Sequence, residues 1–388
     1  MIQIPVEPKI TEFLHAKAAK NHIPLSGTFE LLPVCNMSCR MCYVRMTQEE
    51  QQRVSPLHTA DEWVKLAGEL KDKGMVYLLL TGGEPFLYPE IRRLLEELQK
   101  MGLVISINSN GTLIDESVVA WLKETPPSRI NITLYGASDT TYERLCGNPK
   151  GFSQVTKAIH LLKEAGITVK LNCSVTPYNA NDLEAIFDFA RKEQLIIQAT
   201  SYMFPPMRRD ASMIGKNDRF TSEEAAYYAA KIEMLLNGSE KFLEKMERQE
   251  LVRVNGENGE DCFLTESTKD NHDEEGMTMR CRAGKCSFWI AWDGTCMPCG
   301  MIPVKGSFNV FERTFDEIWK EIVEQTALIR LPGECKSCPL LEQCRPCAAM
   351  VMTESGTYHQ IPQYRCKMTQ AYPAACRKIE KEIREAVK

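Results

Sequence analysis

The sequence predicts an α/β fold with a parallel sheet, followed by a Cys-rich C-terminal region. In the first half, six β-rich runs alternate with amphipathic helical stretches. Units of this length imply parallel strands joined by right-handed crossovers. From residue 281 onward the pattern changes, and Cys recurs in two groups. The alternation by itself fits a doubly wound sheet and a barrel equally well.

The elements follow from local signals taken in chain order. Thr59, with Glu62 at the capping-box position, predicts a helix start, and Gly102 and Gly166 predict helix ends. Strands are expected at residues 28–33, 76–80, 104–108, 129–134, 169–175 and 196–203. Helices are expected at residues 59–73, 89–100, 115–123, 152–164, 182–192, 222–236 and 240–252.

Composition excludes several functional classes. A net charge of −5 with no Lys/Arg run gives no case for nucleic acid. No apolar stretch reaches the roughly 18 residues of a membrane span, and residues 1–24 lack a signal-peptide core. The 16 Cys, without a secretory signal, favour metal ligation over disulfides. We therefore expect a cytoplasmic, metal-binding protein with no membrane partner.

Three Cys near the start of the chain carry the strongest signal. Cys35, Cys39 and Cys42 form a C-x3-C-x2-C triplet after the first expected strand. A closed [4Fe–4S] cluster takes four Cys, so a triplet leaves one iron open for another ligand. The sequence Gly82-Gly83-Glu84-Pro85 follows the second strand, and the turn at residues 109–112 follows the third. These motifs lie at the carboxyl ends of strands, where barrels build their sites.

The triplet and the Gly-Gly-Glu-Pro turn together resemble the radical S-adenosylmethionine (radical SAM) enzymes. The resemblance selects a partial (β/α)6 TIM-like barrel. It implies that the three Cys are the catalytic cluster ligands and that the open iron takes the amino and carboxylate groups of S-adenosylmethionine. It also implies reductive cleavage of that cofactor to a 5′-deoxyadenosyl radical, which removes a hydrogen atom from the substrate.

The same resemblance implies further contacts to S-adenosylmethionine. The turn from Gly82 to Pro85 would receive its amino group, and Arg144 would pair with its carboxylate. Other contacts are expected from Met41, Asn110, Thr133 and Asn172. Each of these residues also has an ordinary role that competes: core packing, turn formation, strand propensity or a surface ion pair.

Eight Cys in the C-terminal region can close two four-Cys metal sites, and two zinc sites fit the spacing as well. The region also resembles the SPASM domain, the auxiliary-cluster domain of many radical SAM peptide and protein maturases. That resemblance implies one [4Fe–4S] cluster on Cys281, Cys286, Cys299 and Cys347, and another on Cys335, Cys338, Cys344 and Cys366. The spacing from Cys344 to Cys347 is one residue shorter than usual, and Cys296 is an alternative ligand. The Cys left over are Cys146, Cys173, Cys262, Cys296 and Cys376.

Four segments are expected along the chain. These are an N-terminal extension (1–25), the barrel (26–204), a helical connector with an acidic loop (205–277), and the SPASM-like domain (278–388). The first segment is too short for a folded leader-binding module. A separate leader-peptide-binding protein is therefore a possible partner, as is an electron donor such as flavodoxin or ferredoxin.

The expected reaction is modification of a ribosomally made peptide by cross-linking or epimerisation. The alternatives are a small-molecule oxidoreductase or decarboxylase acting on a tetrapyrrole or sugar, and a non-enzymatic zinc or iron–sulfur protein. Sulfatase-maturing relatives carry a basic Asp directly after the Gly-x4-Cys motif, and here Gly300 stands at that position. A dehydrogenation would need its proton acceptor from elsewhere in the chain.

Overall fold

The structure is a computed structural model, and it describes residues 8–252 and 276–386. The expected acidic loop lies outside the described residues except at Gly276, and so does Cys262. The chain forms two compact units. Of the described residues, the sheet unit comprises 8–172 and Cys281–Leu328, and the helical unit comprises 173–252, 276–280 and 329–386. These units do not test the expected segment boundaries, which stay a prediction.

The sheet unit contains most of the parallel sheet. Its strands are β1 (Ser26–Glu30), β2 (Tyr77–Thr81), β3 (Val104–Ser109), β4 (Arg129–Thr133), the start of β5 (Val169–Ser174), β8 (Ser287–Ile290) and β9 (Cys296–Met297). The strand order is β5-β4-β3-β2-β1-β8-β9, and only the β8–β9 pair is antiparallel. Its helices are α1 (Lys9–Lys20), α2 (Gln48–Val54), α3 (Ala60–Asp72), α4 (Ile91–Lys100), α5 (Glu116–Glu124), α6 (Asp139–Cys146), α7 (Gly151–Glu164) and α11 (Phe315–Ala327).

The helical unit continues the alternation. After β5, the Val175 N–H donates to the Thr200 carbonyl of β6 (Ile196–Thr200) at 2.8 Å. The short strands β7 (Met277–Thr278) and β10 (Arg330–Leu331) pair antiparallel. The helices are α8 (Leu183–Lys192), α9 (Ser222–Asn237), α10 (Ser239–Glu247), α12 (Leu341–Cys344), α13 (Ala348–Ser355) and α14 (Gln363–Ala386). The predicted fold class, a mostly parallel sheet of a partial (β/α)6 barrel followed by a Cys-rich domain, is confirmed.

Several elements differ from the predictions. The first strand runs from Ser26 to Glu30 rather than over 28–33, and the helix predicted at 240–252 ends at Glu247. Beyond that end, Gln249 has a φ of 59°, outside the right-handed helical range. The predictions also missed α1, α2, α6 and the strand β8, which pairs parallel with β1.

Alternation along the strands gives the sheet two different faces. On one face Ile105, Ile107, Ile130 and Ile132 are buried, as the core side of a sheet requires. The opposite face of the same strands carries polar side chains: Ser106, Asn108, Arg129, Asn131, Thr133, Lys170 and Asn172. A polar face beside the carboxyl ends of parallel strands is where a bound substrate or cofactor finds hydrogen-bonding groups.

Among the described residues, no helix combines the length and hydropathy needed to cross a bilayer.

Candidate functional site

The loop that carries the Cys triplet is held by the last turn of α6. The Ser38 N–H donates to the Cys146 carbonyl at 2.8 Å, and the Arg40 N–H donates to the Leu145 carbonyl at 3.2 Å. The Arg40 Nε also donates to the Arg144 carbonyl at 3.2 Å. The last carbonyls of a helix have no partner within it and carry its negative end, so they favour a cation such as Arg40. The helix therefore fixes the backbone on both sides of Cys39.

The Gly-Gly-Glu-Pro turn packs directly against the backbone that precedes the triplet. The Gly83 N–H donates to the Leu32 carbonyl at 2.7 Å, and the Glu84 N–H donates to the Val34 carbonyl at 3.0 Å. A Cβ atom on Gly83 would lie 2.2 Å from the Val34 oxygen. This close approach of two backbones requires Gly at position 83.

The Glu84 side chain ties the second turn to the third. Its fully buried carboxyl group accepts hydrogen bonds from the Phe86 N–H (3.1 Å), the Ser109 hydroxyl (2.8 Å) and the Asn110 N–H (2.8 Å). Burial raises the pKa of Glu84 to about 7, although all three donors favour the ionised form. Glu84 is therefore an internal connector between two turns.

Asn110 completes the convergence of the three turns. Its Nδ2 donates to Asn36 Oδ1 at 2.9 Å and lies 3.7 Å from the Cys35 sulfur. Asn36 in turn donates to the Thr112 hydroxyl at 2.8 Å. The loops after β1, β2 and β3 thus meet at one edge of the sheet, as their positions at the carboxyl ends of the strands predicted.

The three Cys lie close enough to influence one another. Burial raises the pKa of Cys35 to about 12, and the neighbouring charges of Glu84, Cys39 and Cys42 act in the same direction. Cys39 differs, because hydrogen bonds from the Cys146 thiol and the Tyr135 hydroxyl hold its pKa below the usual value. Cys146 was a leftover thiol in the sequence, and only its position at the end of α6 reveals this contact.

The other residues expected at the cofactor fall into two groups. Thr133 at the end of β4 is the register partner of Asn172 in β5, and Met41 is buried in the Cys loop. Arg144 is exposed on α6, and its carbonyl accepts the hydrogen bond from the Arg40 Nε. The structure thus brings Thr133 and Asn172 together and leaves the Arg144 side chain at the surface.

A buried carboxylate lies where sequence reasoning found none. Glu30 at the end of β1 is fully buried and accepts a hydrogen bond from Trp289 Nε1 at 3.0 Å. The indole ring of Trp289 packs over Gly300, since a Cβ atom on Gly300 would lie 3.0 Å from the ring. Gly300, which stands where sulfatase-maturing relatives carry an Asp, is therefore linked through Trp289 to Glu30. Glu30 and Trp289 are 259 positions apart in the sequence.

Four of the C-terminal Cys come together within the helical unit. Burial raises the pKa of Cys335 to about 11, and the thiolates of Cys366, Cys344 and Cys338 raise it further. Burial likewise raises the pKa of Cys366, with Cys344 and Cys338 adding to the effect. Mutual repulsion of this kind requires short separations, so the four Cys assigned to one auxiliary cluster are neighbours.

The Cys assigned to the other auxiliary cluster are divided between the two units. In the sheet unit, Cys286 is buried against Ala18 and Leu25, whereas Cys281 and Cys299 are half-buried. In the helical unit, Cys347 caps α13, and its sulfur accepts a hydrogen bond from the Met350 N–H at 3.4 Å. The alternative ligand Cys296 is fully buried in β9.

The donor sets suit iron–sulfur clusters. In the described ranges 8–252 and 276–386, no three His, Cys, Asp or Glu side chains are arranged to hold a single metal ion. A cluster binds each thiolate through a different iron atom, so its Cys need not converge on one point. The Cys35 and Cys335 groups are all-thiol sets, the ligand type that [4Fe–4S] clusters use.

Two family models match the chain. The Radical SAM superfamily model matches residues 29–190, and the SPASM model, an iron–sulfur cluster-binding domain, matches residues 281–348. These ranges contain the Cys triplet with its adjoining turns and seven of the eight C-terminal Cys assigned to clusters, since only Cys366 lies beyond residue 348.

The chain is also similar to curated proteins and to solved structures. It is 25% identical to an AdoMet-dependent heme synthase of Methanosarcina barkeri over 89% of this chain and 97% of that protein. It is 31% identical to the antilisterial bacteriocin subtilosin biosynthesis protein AlbA of Bacillus subtilis over 46% of this chain and 39% of that protein. Streptococcus suis SuiB bound to precursor peptide SuiA shares the fold, with a TM-score of 0.62, 18% identity, and coverage of 93% and 82%.

Proposed function

We propose that this chain, a radical SAM enzyme with a SPASM domain that uses S-adenosylmethionine and [4Fe–4S] clusters, binds its catalytic cluster through Cys35, Cys39 and Cys42. When bound, the cluster supplies the electron that cleaves S-adenosylmethionine and so provides the radical that removes a hydrogen atom from the substrate. The protein's own residues hold the thiols in place and line the polar face beside them.

The single observation that supports this assignment is the meeting of the three loops. Backbone hydrogen bonds from Gly83 and Glu84 and the Asn110 side-chain contacts fix the loop that carries the triplet. We propose that the turn from Gly82 to Pro85 receives the amino group of S-adenosylmethionine. Met41, Asn110, Thr133 and Asn172 are proposed as further contacts, and Arg144 is proposed to pair with the carboxylate group.

Two auxiliary clusters are proposed in addition. Cys335, Cys338, Cys344 and Cys366 would hold one of them, and the way neighbouring thiolates raise the pKa of Cys335 and of Cys366 supports this. The other would be held by Cys281, Cys286, Cys299 and Cys347. An auxiliary cluster can accept an electron from a substrate radical, which an oxidative cross-link requires.

The proposed substrate is a ribosomally made peptide, changed by cross-linking or epimerisation. A stretch that covers 46% of this chain is similar to AlbA, a bacteriocin biosynthesis protein, at 31% identity. The proposal extends to a separate leader-peptide-binding protein, to an electron donor such as flavodoxin or ferredoxin, and to a cytoplasmic location.

A tetrapyrrole is the second candidate substrate, and one observation favours it. The similarity to the Methanosarcina barkeri heme synthase extends over 97% of that protein, including its C-terminal region, whereas the similarity to AlbA covers 39% of AlbA. The heme synthase reading predicts a decarboxylated porphyrin-type product rather than a modified peptide.

The chemistry is tested with a triple variant. Replacing Cys35, Cys39 and Cys42 by Ala is expected to abolish 5′-deoxyadenosine formation under strong reductant while iron remains in the C-terminal region. Cys173→Ala is the control, because Cys173 is a buried thiol of β5 with no proposed ligand role. Undiminished 5′-deoxyadenosine from the triple variant would overturn the assignment of the triplet.

The substrate is tested by offering the enzyme each of the two candidates in a separate assay. The enzyme is co-expressed with short peptides encoded beside its gene, and separately incubated with iron-coproporphyrin. A loss of two hydrogens that resists thiol alkylation indicates a cross-link, and an unchanged mass with deuterium uptake indicates epimerisation. Turnover of the porphyrin with untouched peptides means that the tetrapyrrole candidate replaces the peptide.

A further inference from the structure

Arg365 lies beside the four Cys of the helical unit. It directly precedes Cys366, and its Nη2 donates to the Cys344 carbonyl at 3.0 Å. Its Nη1 lies 3.4 Å from the Met368 sulfur, and its Cζ is 5.9 Å from the centre of the Tyr202 ring. These contacts hold the guanidinium group half-buried next to two of the proposed cluster ligands.

One donor of this guanidinium group has no partner. The Arg365 Nε is buried and makes no hydrogen bond to any residue that the structure describes. Buried N–H groups are almost always satisfied, because leaving one without an acceptor destabilises the fold. A buried donor without a partner beside Cys344 and Cys366 therefore indicates that an acceptor is bound there.

The charge of Arg365 is also uncompensated by carboxylates. Its neighbour Arg219 forms a buried ion pair with Glu354 at 2.6 Å, and Glu354 accepts a further hydrogen bond from the Tyr202 hydroxyl. That pair is neutral as a unit. Within residues 8–252 and 276–386, Arg365 has no such carboxylate, which leaves a half-buried positive charge beside the four thiols. A [4Fe–4S] cluster with four thiolates carries net negative charge and would balance it.

We infer that Arg365 is the counter-ion of the auxiliary cluster held by Cys335, Cys338, Cys344 and Cys366, and that its Nε–H donates to a sulfur atom of that cluster. The inference rests on the cluster assignment proposed above. Reduction adds one negative charge to the cluster, so a nearby cation and a hydrogen bond to sulfur stabilise the reduced state. Arg365 therefore raises the reduction potential and makes this cluster a better electron acceptor.

The test is a reduction-potential measurement, followed by electron paramagnetic resonance. The titrations use the full chain with Cys35, Cys39 and Cys42 replaced by Ala, so that only the auxiliary clusters remain. A further Cys335→Ala change identifies which signal belongs to the cluster beside Arg365. In the test variant Arg365→Gln, we expect the equilibrium constant for reduction of this cluster to fall about tenfold. For one electron this lowers the reduction potential by about 59 mV.

Arg345→Gln is the matched control. Arg345 directly follows the proposed ligand Cys344, just as Arg365 directly precedes Cys366. Unlike Arg365, Arg345 is exposed, and its Nε donates to the Glu342 carbonyl at 3.1 Å. Arg365→Lys keeps the charge and loses the Nε–H, so its potential should lie between those of wild type and Arg365→Gln. If Arg365→Gln does not retain iron, Arg365→Lys decides the question.

The outcomes distinguish a failure of the Arg365 inference from a failure of the cluster assignment on which it rests. A shift for Arg365→Gln no larger than that for Arg345→Gln overturns the role of Arg365. A wild-type reduction potential in Arg365→Lys overturns the proposed hydrogen bond from the Arg365 Nε–H to the cluster. If Cys335→Ala removes neither iron nor a signal, the cluster assignment itself is wrong.

Discussion

At the scale of single residues, Gly83 is the most constrained position of the candidate site. A Cβ atom there would lie 2.2 Å from the Val34 oxygen and 2.7 Å from the Pro33 oxygen. Gly83→Ala must therefore push apart the turn and the backbone that leads to Cys35. We expect a loss of stability of about 1–3 kcal/mol, the usual cost of overpacking, and a large loss of 5′-deoxyadenosine formation.

Gly68→Ala is the matched control for this change. Gly68 lies inside α3, and a Cβ atom there would have no neighbour within 4 Å. Ala is the better helix former by about 1 kcal/mol, so this variant should be more stable with unchanged activity. Urea unfolding and a 5′-deoxyadenosine assay measure both effects. Wild-type values for Gly83→Ala would mean that the two backbones can separate without consequence.

Glu84 should give the protein a pH-dependent stability. Burial raises the pKa of its carboxyl group from 4.5 to about 7. The folded state therefore binds the proton more tightly than the unfolded state, and stability falls as pH rises through 7. Between pH 6 and pH 8 this group should lower the free energy of unfolding by about 1 kcal/mol.

The measurement compares the wild type with Glu84→Gln in anaerobic urea titrations at both pH values. Residue 84 cannot ionise in the variant. The free energy of unfolding of the variant should therefore depend less on pH, by the amount that Glu84 contributes in the wild type. The variant should also be less stable at both pH values, because an amide nitrogen would face one of the three donors. An identical dependence on pH in both proteins would show that Glu84 keeps an ordinary pKa.

Sequence reasoning found those site residues that lie in short motifs. The triplet and the Gly-Gly-Glu-Pro turn are local patterns, and the order of strands predicted that they meet. The contact between Glu30 and Trp289 and the contact between Cys39 and Cys146 join distant parts of the chain, so no local spacing signals them. Whether a residue such as Arg144 faces a cofactor also depends on packing that a motif does not encode.

At the scale of elements, helix caps were the most reliable signal. The capping box from Thr59 to Glu62 begins α3 as predicted. The same signal stood at Thr47 and Glu50, where it begins the unpredicted helix α2. The strand β8 could not be predicted from its neighbours, because its partner β1 lies more than 250 residues earlier and parallel pairing leaves no local turn signal.

The buried ion pair of Arg219 with Glu354 should anchor the segment before α9 to α13. Both side chains are nearly inaccessible, at 5% and 4% exposure, and two hydrogen bonds of 2.6 and 2.8 Å join them. Removing one charge leaves the other buried and unpaired, so Glu354→Gln should cost about 3–5 kcal/mol. Urea unfolding of the cluster-loaded protein measures this cost.

Two further variants make that prediction specific. Replacing Arg219 and Glu354 together by Met should cost less than the sum of the two single changes, because no unpaired charge remains. Glu244→Gln is the control, since the pair of Glu244 in α10 with Arg248, just after that helix, is exposed and should contribute about 0–1 kcal/mol. Additive effects of the two Met substitutions would mean that the buried charges are not coupled.

At the scale of the whole molecule, composition alone gave the correct protein class. Sixteen Cys, most of them in close groups, indicated metal ligation, and the match to an iron–sulfur cluster-binding domain agrees with this. The substrate is a different matter, because substrate choice depends on pocket shape and on contacts that neither composition nor spacing encodes. The ligand set of the auxiliary clusters lies between these cases, since spacing identifies most of the Cys but leaves Cys347 and Cys296 as alternatives for one position.

Iron content should resolve that choice. Three [4Fe–4S] clusters require about 12 iron and 12 sulfide per chain after anaerobic reconstitution. The Cys347 sulfur lies at the N-terminus of α13, where the helix dipole favours a thiolate, whereas Cys296 is fully buried in a strand. We therefore expect about 8 iron per chain for Cys347→Ala and about 12 for Cys296→Ala. The reverse result would make Cys296 the ligand, and stoichiometric zinc in place of iron would contradict the auxiliary clusters altogether.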